Sequence, residues 1–409
     1  MIPQAEENAA STTGPRRGAA RAPSFIAPGA TLGVLGGGQL GRMFAHAAQT
    51  AGYAVAVLDP DPASPAGLIA HQHIRTAYLD PAGLALLADT AAAITTEFEN
   101  VPAAALETLA SRRAVSPGAA AVAICQDRAR EKAAFQDAGV PCVAHAVIAS
   151  PHDIASVDAR LLPGILKTAR LGYDGKGQQR VADRQALAGA FAVLGNVACV
   201  LEQRLTLAAE ISVIVARQAT GESVHLPVQE NVHRDGILAT TRVPAQGIAA
   251  GRANEAVALA RRIADAIDYV GVLCVEFFVL ADGSLLANEM APRPHNSGHY
   301  SIDACDVSQF DLQVRVMTGA PLVAPRLHSP AVMLNLLGDL WFRGGAGAAV
   351  EPAWQRILAL PGAHLHLYGK AEARPGRKMG HLTVTAGTAE EAAAVARTAA
   401  RILGLDPEP

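Results

Sequence analysis

Two carboxylates with a short turn between them are the chemically most informative feature of the chain. Asp282-Gly283 is a favoured two-residue hairpin turn between the apolar run Val272–Leu280 and Leu285–Glu289. Pairing Ala281 with Ser284 sets Glu276 opposite Glu289, with their Cβ atoms about 5 Å apart on one face of a sheet. Like charges so placed repel unless a cation sits between them, and Glu276 lies inside an apolar run where a bare carboxylate is costly. Oxygen ligands alone suit Mg²⁺ that bridges substrate phosphates. The competing reading is an exposed hairpin with two solvated glutamates.

A second candidate is Lys167, followed by the segment Gly172-Tyr173-Asp174-Gly175-Lys176-Gly177-Gln178. Its glycines let N–H groups approach phosphate, and Lys167 and Lys176 supply charge; a solvated hairpin loop is the alternative. Next to the proposed metal, Arg293 is suited to holding a negative transferring group. His295 and His299 follow it, His299 more plausibly as a structural residue. A third signature, Gly36-Gly37-Gly38-Gln39-Leu40-Gly41 with Asp59 roughly 20 residues on, matches a dinucleotide fingerprint. The underlying physics is only that glycines admit a phosphate to a helix N-terminus, so other phosphorylated ligands fit equally.

The elements that position these groups are legible in outline. Strand Thr31–Leu35, the glycine turn, a helix to about Ala51 and strand Tyr53–Asp59 form a βαβ unit in a parallel sheet. A later strand ending in Ile94-Thr95-Thr96-Glu97 brings Glu97, Glu99 and Asn100 to the ligand-binding edge. A mixed region follows: strands Gly164–Lys167, Ala198–Gln203, Ile211–Ala216 and Val224–Gln229, a helix Asn254–Asp268, and the hairpin. Beyond Pro321, two alternating strands, His364–Tyr368 and His381–Thr385, precede a helix opened by the capping box Thr388-Ala389-Glu390-Glu391. The expected organisation is a disordered tail over 1–30, a Rossmann-like α/β domain over 31–120, an α+β domain over 121–320 with a subdomain at about 141–205, and a smaller C-terminal β-rich domain over 321–409.

Composition narrows the function classes. The chain has 409 residues, half of them hydrophobic, a formal charge of −3 and 4% aromatic residues, so it lacks the basic field and stacking platforms of a nucleic-acid binder. No apolar run reaches the 18 to 20 residues that span a bilayer. Five scattered cysteines with no CxxC spacing predict neither disulfides nor zinc. The expectation is a soluble cytoplasmic enzyme acting on small molecules.

Seven ordered blocks carry a family resemblance: GVLGGGQLGRM (33–43), TTEFENVP (95–102), CQDRAREK (125–132), GYDGKGQ (172–178), QENVHRDGIL (229–238), NEMAPRPHNSGHY (288–300) and YGKAEARPGRKMGH (368–381). Together they resemble the ATP-grasp superfamily, with its pre-ATP-grasp N-terminal domain, and within it the N5-carboxyaminoimidazole ribonucleotide synthetases. The resemblance implies ATP-dependent carboxylation of 5-aminoimidazole ribonucleotide by bicarbonate through carboxyphosphate, with Mg²⁺ and a homodimeric state. It implies nucleotide contacts from Arg128, Lys167, Gly172, Tyr173, Asp174, Gly175, Lys176, Gly177, Gln178, Glu202, Gln203, Arg204, Leu205, Glu210, His233, Asn288 and Glu289. Glu202 to Leu205 correspond to the adenine-reading connection and Glu210 to the ribose acceptor, with Glu276 and Glu289 as metal ligands. The aminoimidazole ribonucleotide site then comprises Gly38, Gln39, Leu40, Glu97, Tyr173, Asp174, Arg293, His295, Asn296, Lys370, Arg377 and Lys378, with Asp174, Lys176 and Arg293 catalytic. Leu205 and Leu207 depart from the valine and aromatic residue frequent there. A related ligase with another acceptor, or a NAD-binding oxidoreductase, are the rival readings.

Overall fold

The computed structural model describes residues 25–172, 177–343 and 349–406. It opens with β1 (Thr31–Leu35), α1 (Gln39–Thr50), β2 (Ala54–Leu58), β3 (Gln72–Ile74), α2 (Pro81–Thr90), β4 (Ala93–Thr96), α3 (Ala103–Ala110), β5 (Ala114–Val115) and α4 (Ala119–Cys125). The five strands are parallel in the order β3-β2-β1-β4-β5. The strand order reverses between β1 and β4, so the crevice at the carboxyl ends of these two strands is where such a sheet takes its ligand. The glycine turn and Glu97 both end there.

A second, antiparallel sheet has the order β6-β9-β7-β8. It is preceded by α5 (Arg128–Asp137) and built from β6 (His145–Ile148), α6 (Pro151–Ala155), β7 (Gly164–Thr168), β8 (Gln178–Val181), α7 (Arg184–Val193) and β9 (Cys199–Gln203). Asp127 caps α5, its carboxylate accepting from the Ala129 and Arg130 amides.

The remaining strands join into one large sheet. They are β10 (Leu207–Arg217), β11 (Ser223–His225), β12 (Gln229–Arg234), β13 (Ile237–Val243), β14 (Gly271–Leu280), β15 (Leu285–Ala291), β16 (Ala331–Leu337), β17 (Ala363–Leu367) and β18 (Lys378–Thr385). With them run α8 (Ala250–Ala266), α9 (Ser301–Ala304), α10 (Gln309–Thr318), α11 (Trp354–Leu358) and α12 (Ala389–Leu403). The order is β15-β14-β10-β12-β13-β16-β18-β17, with β11 beside β10. The C-terminal strands therefore extend the central sheet, β16 pairing with β13 along Thr240–Val243. The predicted strand Val224–Gln229 is in fact divided between β11 and β12, because Pro227 offers no N–H to the ladder. Thr388 and Glu391 form the expected capping box of α12, which ends at Gly404 in the left-handed conformation.

β14 is buried on both faces over most of its length and β15 only in part, and this places the site. Leu273, Val275 and Phe277 pack with Ile211, Val213 and Val215 against α8 and α5. The opposite face carries Val272 and Cys274 with Ile214 and Ala216, under Leu312 and Val316 of α10. Further along that second face the residues become polar, with Glu276 beside Ser212 and Glu289. The apolar layer ends there and a polar one begins.

Candidate active site

Glu276 and Glu289 do face each other across β14 and β15. The route to that register differs from the predicted one. Leu280, not Ala281, pairs with Ser284, closing a three-residue turn with Gly283 at φ +78°. Phe277 then lies opposite Ala287, one residue out of the predicted register, and an extra residue, Asn288, bulges out of β15 to restore it at Glu289. Two departures from the expected geometry cancel at the two carboxylates.

Their surroundings are strongly charged. Burial pushes the buried Glu276 carboxyl up to about 7, reinforced by the charge of Glu289. Burial acts the same way on Glu289, but Arg128 and Lys167 more than offset it and hold that carboxyl well below the usual range. Arg128 Nη1 is 2.9 Å from Glu289 Oε2. On β12 and β10, His233 Nδ1 lies 2.7 Å from Glu210 Oε2. Burial disfavours the His233 cation, yet the Glu210 bond and the Glu276 charge lift it to about 9. His295 Nε2 reaches Glu276 Oε1 at 3.2 Å, while its Nδ1 is 2.9 Å from Ser297 Oγ.

The Glu202 side chain lies between two lysines. Its buried carboxylate pairs with Lys132 at 2.9 Å and Lys167 at 2.6 Å, and these two cations overcome burial to bring it down to about 2. The side chain thus holds Lys167 in place. Beside it, the amides of Gln203 and Arg204 bond the Ala144 and Pro163 carbonyls. Leu205 lies in the connection to β10, and Gln178 pairs with Lys167 across β7 and β8. The Gly177 carbonyl accepts from the Thr168 amide, and the Gly172 carbonyl from Arg128.

At the crevice of the parallel sheet, the glycine turn is already occupied by the protein. Glu97 accepts from the Gly38 and Gly41 amides at 2.9 and 3.2 Å, and Asp59 from Gly37 N and Tyr78 Oη, both at 2.7 Å. A Cβ at Gly36 or Gly38 would come within 2.8 Å of the Glu97 side chain. The glycines therefore make room for a carboxylate, which repels a pyrophosphate, and Asp59 is not free for a ribose. The dinucleotide reading fails on this geometry. Gln39 starts α1, but the Leu40 side chain is buried in the core, so only its backbone faces the crevice.

The crevice is joined to the hairpin by an ion pair. Arg293 Nε bonds the partly exposed carboxylate of Glu99, which carries the β4 edge to the segment after β15. Asn296 is buried with its Nδ2 lacking a partner, and so is Asn288 Oδ1. His299 is structural, as expected: it stacks on Phe310 and bonds Gln309. From the C-terminal strands, Lys370 Nζ bonds the Lys378 carbonyl, and the Lys378 charge acts on Glu99, Glu276 and His295. Arg377 instead turns to the Glu372 carbonyl at the exposed turn, so the structure does not bring its guanidinium to the crevice.

Comparison with known proteins bears on this arrangement. Residues 29–126 match the ribonucleotide synthetase preATP-grasp domain, 133–310 the ATP-grasp domain and 331–395 the phosphoribosylaminoimidazole carboxylase C-terminal domain. The N5-carboxyaminoimidazole ribonucleotide synthase of Brucella melitensis is 46% identical over 361 residues, covering 88% of this chain and 97% of that protein. The chain belongs to the N5-carboxyaminoimidazole ribonucleotide synthase family. A solved ADP complex of an N5-carboxyaminoimidazole ribonucleotide synthetase superposes with TM-score 0.86 at 38% identity, covering 93% of this chain and 98% of the other. The Aspergillus clavatus N5-carboxyaminoimidazole synthase, solved with ADP and 5-aminoimidazole ribonucleotide, gives 0.83 at 33% identity, covering 92% and 98%.

For a member of the N5-carboxyaminoimidazole ribonucleotide synthase family, the site can be tested for a divalent cation. The two facing carboxylates offer only oxygen ligands, which fit a hard ion, and the neighbouring Asn288 carries a buried amide oxygen without a donor. Cys274 also lies close to Glu276 and His295, but burial keeps its thiol protonated and it adds no hard ligand. Tyr173, Asp174, Gly175 and Lys176 lie outside the described residues. Sequence reasoning placed Glu99 at the β4 edge without its partner Arg293, and it missed two residues that shape the site: Glu131 and Lys132. Glu131 and Lys132 stood in the CQDRAREK block, where adjacent charges in a helix gave no sign of burial.

Proposed function

We propose that this chain catalyses ATP-dependent carboxylation of 5-aminoimidazole ribonucleotide by bicarbonate, yielding N5-carboxyaminoimidazole ribonucleotide, ADP and phosphate. The observation that carries the proposal is the facing pair Glu276 and Glu289, set beside Arg128 and Lys167 and bridged through Arg293 and Glu99 to the crevice of the parallel sheet. Phosphoryl transfer asks a protein mainly for positioning and charge, which this constellation supplies. Glu276 and Glu289, with Asn288, would hold Mg²⁺, whose charge neutralises the triphosphate. Arg128 and Lys167 hold the phosphates, and Glu210, bonded to His233, accepts from the ribose.

The bicarbonate oxygen attacks the γ-phosphorus, ADP departs, and carboxyphosphate results. Arg293, held by Glu99, steadies that anion. The exocyclic amine of the ribonucleotide then takes the carboxyl carbon and phosphate leaves, with the amine proton passing to a base. Asp174 is assigned to orienting the amine and Lys176 to neutralising phosphate charge. Gly38, Gln39, the Leu40 backbone, Glu97, Tyr173, His295, Asn296, Lys370 and Lys378 line the ribonucleotide site, and Arg377 reaches it only if it leaves Glu372. The enzyme works as a cytoplasmic homodimer. Among the described residues no helix is long and apolar enough to cross a membrane.

The test is phosphate release from ATP and bicarbonate with and without aminoimidazole ribonucleotide. Release stimulated by the ribonucleotide is expected; release stimulated only by another acceptor overturns the assignment.

A further inference from the structure

The strand that carries Glu289 is the last of its sheet, and among the described residues its outer edge meets no further strand, only an isolated parallel bridge between Ala287 and Cys142. It is also bulged at Asn288, where ladder bonds are lost. Three groups along that edge are nevertheless satisfied. The Ala287 amide donates to the Pro141 carbonyl at 2.8 Å. On either side of Glu289, the Asn288 carbonyl accepts from Lys132 Nζ at 2.6 Å, and the Met290 amide donates to Glu131 Oε1 at 2.6 Å. Glu131 and Lys132 are consecutive in α5 and both buried.

We propose that Glu131 and Lys132 are positioning residues that replace the missing neighbour strand of β15 and so fix the Glu289 carboxylate opposite Glu276. An ammonium only donates and an ionised carboxylate only accepts. Lys132 therefore fits only a carbonyl, and ionised Glu131 only an N–H. A slip of one residue would turn the outward groups inward, taking from buried Glu131 its amide donor and from Lys132 its carbonyl acceptor. The same Lys132 also pairs with Glu202, which holds Lys167. One side chain thus ties the register of the carboxylate strand to the lysine on β7.

The inference rests on the reading of Glu276 and Glu289 as divalent-ion ligands. It is tested on the full chain by calorimetric titration with ATP at stepped Mg²⁺ concentrations, with thermal melting in parallel. Glu131→Met and Lys132→Met should raise the Mg²⁺ concentration for half-maximal ATP binding tenfold or more. Glu131→Gln, which keeps an oxygen for the Met290 amide, should stay within threefold of wild type. Folded Met variants with an unchanged Mg²⁺ requirement overturn the proposal and leave these residues a purely structural role. Should Lys132→Met not melt cooperatively, Lys132→Arg decides by the same readout: a displaced donor that shifts the requirement supports the positioning role, and no shift overturns it. Wild-type ATP binding indifferent to Mg²⁺ instead sinks the metal reading beneath it.

Discussion

Replacing Glu202 by Gln keeps the shape of the side chain and removes the anion that pairs with both Lys132 and Lys167. The Glu202 side chain is 4% exposed, that of Lys132 fully buried and that of Lys167 12% exposed, so solvent screens little of the loss. The fall of the Glu202 carboxyl from its ordinary 4.5 to about 2 amounts to roughly 3 kcal/mol of preferential stabilisation of the charged form. Breaking a buried pair by deleting one partner costs about 3–5 kcal/mol, which agrees. Because the folded-state value is depressed, this stability is present above the unfolded value near 4.5 and is lost as pH falls toward 2. Urea unfolding followed by circular dichroism should then show Glu202→Gln less stable by roughly 3 kcal/mol at pH 7, with the gap narrowing below pH 4.5. A gap under about 1 kcal/mol at pH 7, or one that stays constant from pH 6 to pH 3, refutes the electrostatic account of this triad.

Other perturbations probe the remaining parts. Glu276→Gln or Glu289→Gln should lower ADP formation by about 100-fold or more in a coupled assay, as expected when a group that stabilises developing charge is lost; a loss below tenfold contradicts the metal assignment. Glu131 is raised to about 7, chiefly by burial, so wild-type stability should fall as pH rises from 4.5 to 7. Glu131→Gln should therefore gain up to roughly 3 kcal/mol over wild type at pH 8 and nothing at pH 4, read by urea unfolding at the two pH values. Glu97→Ala removes the acceptor of the Gly38 and Gly41 amides and should cost about 1–2 kcal/mol of stability, the scale of a lost helix cap. In the same variant the KM for the ribonucleotide should rise; an unchanged KM places Glu97 outside that site.

The sequence was readable where a local rule and the tertiary structure agree. The capping box at Thr388, the βαβ unit ending at Leu58 and the strand that delivers Glu97 follow from periodicity and end signals. The hairpin is more instructive: turn chemistry implied two residues, the chain uses three, and the bulge at Asn288 returned the carboxylates to register. No single-sequence rule marks that bulge, since what stabilises it comes from α5, about 160 residues earlier. The glycine fingerprint left its ligand open for a related reason. It reports that something must approach the turn, and only the folded structure reveals that this is Glu97. The ion pairs of Glu202 were not legible, because its partners Lys132 and Lys167 are contributed by α5 and β7.

The joining of β16 to β13 means that the C-terminal segment is not a detachable module. A chain stopped near residue 330 would bare the outer row of amides and carbonyls of β13, a ready template for another molecule's strand. Shortened forms of this protein should therefore clump before they lose their nucleotide fold, and chimeras exchanging acceptor specificity between relatives need a cut through the loops that respects this seam.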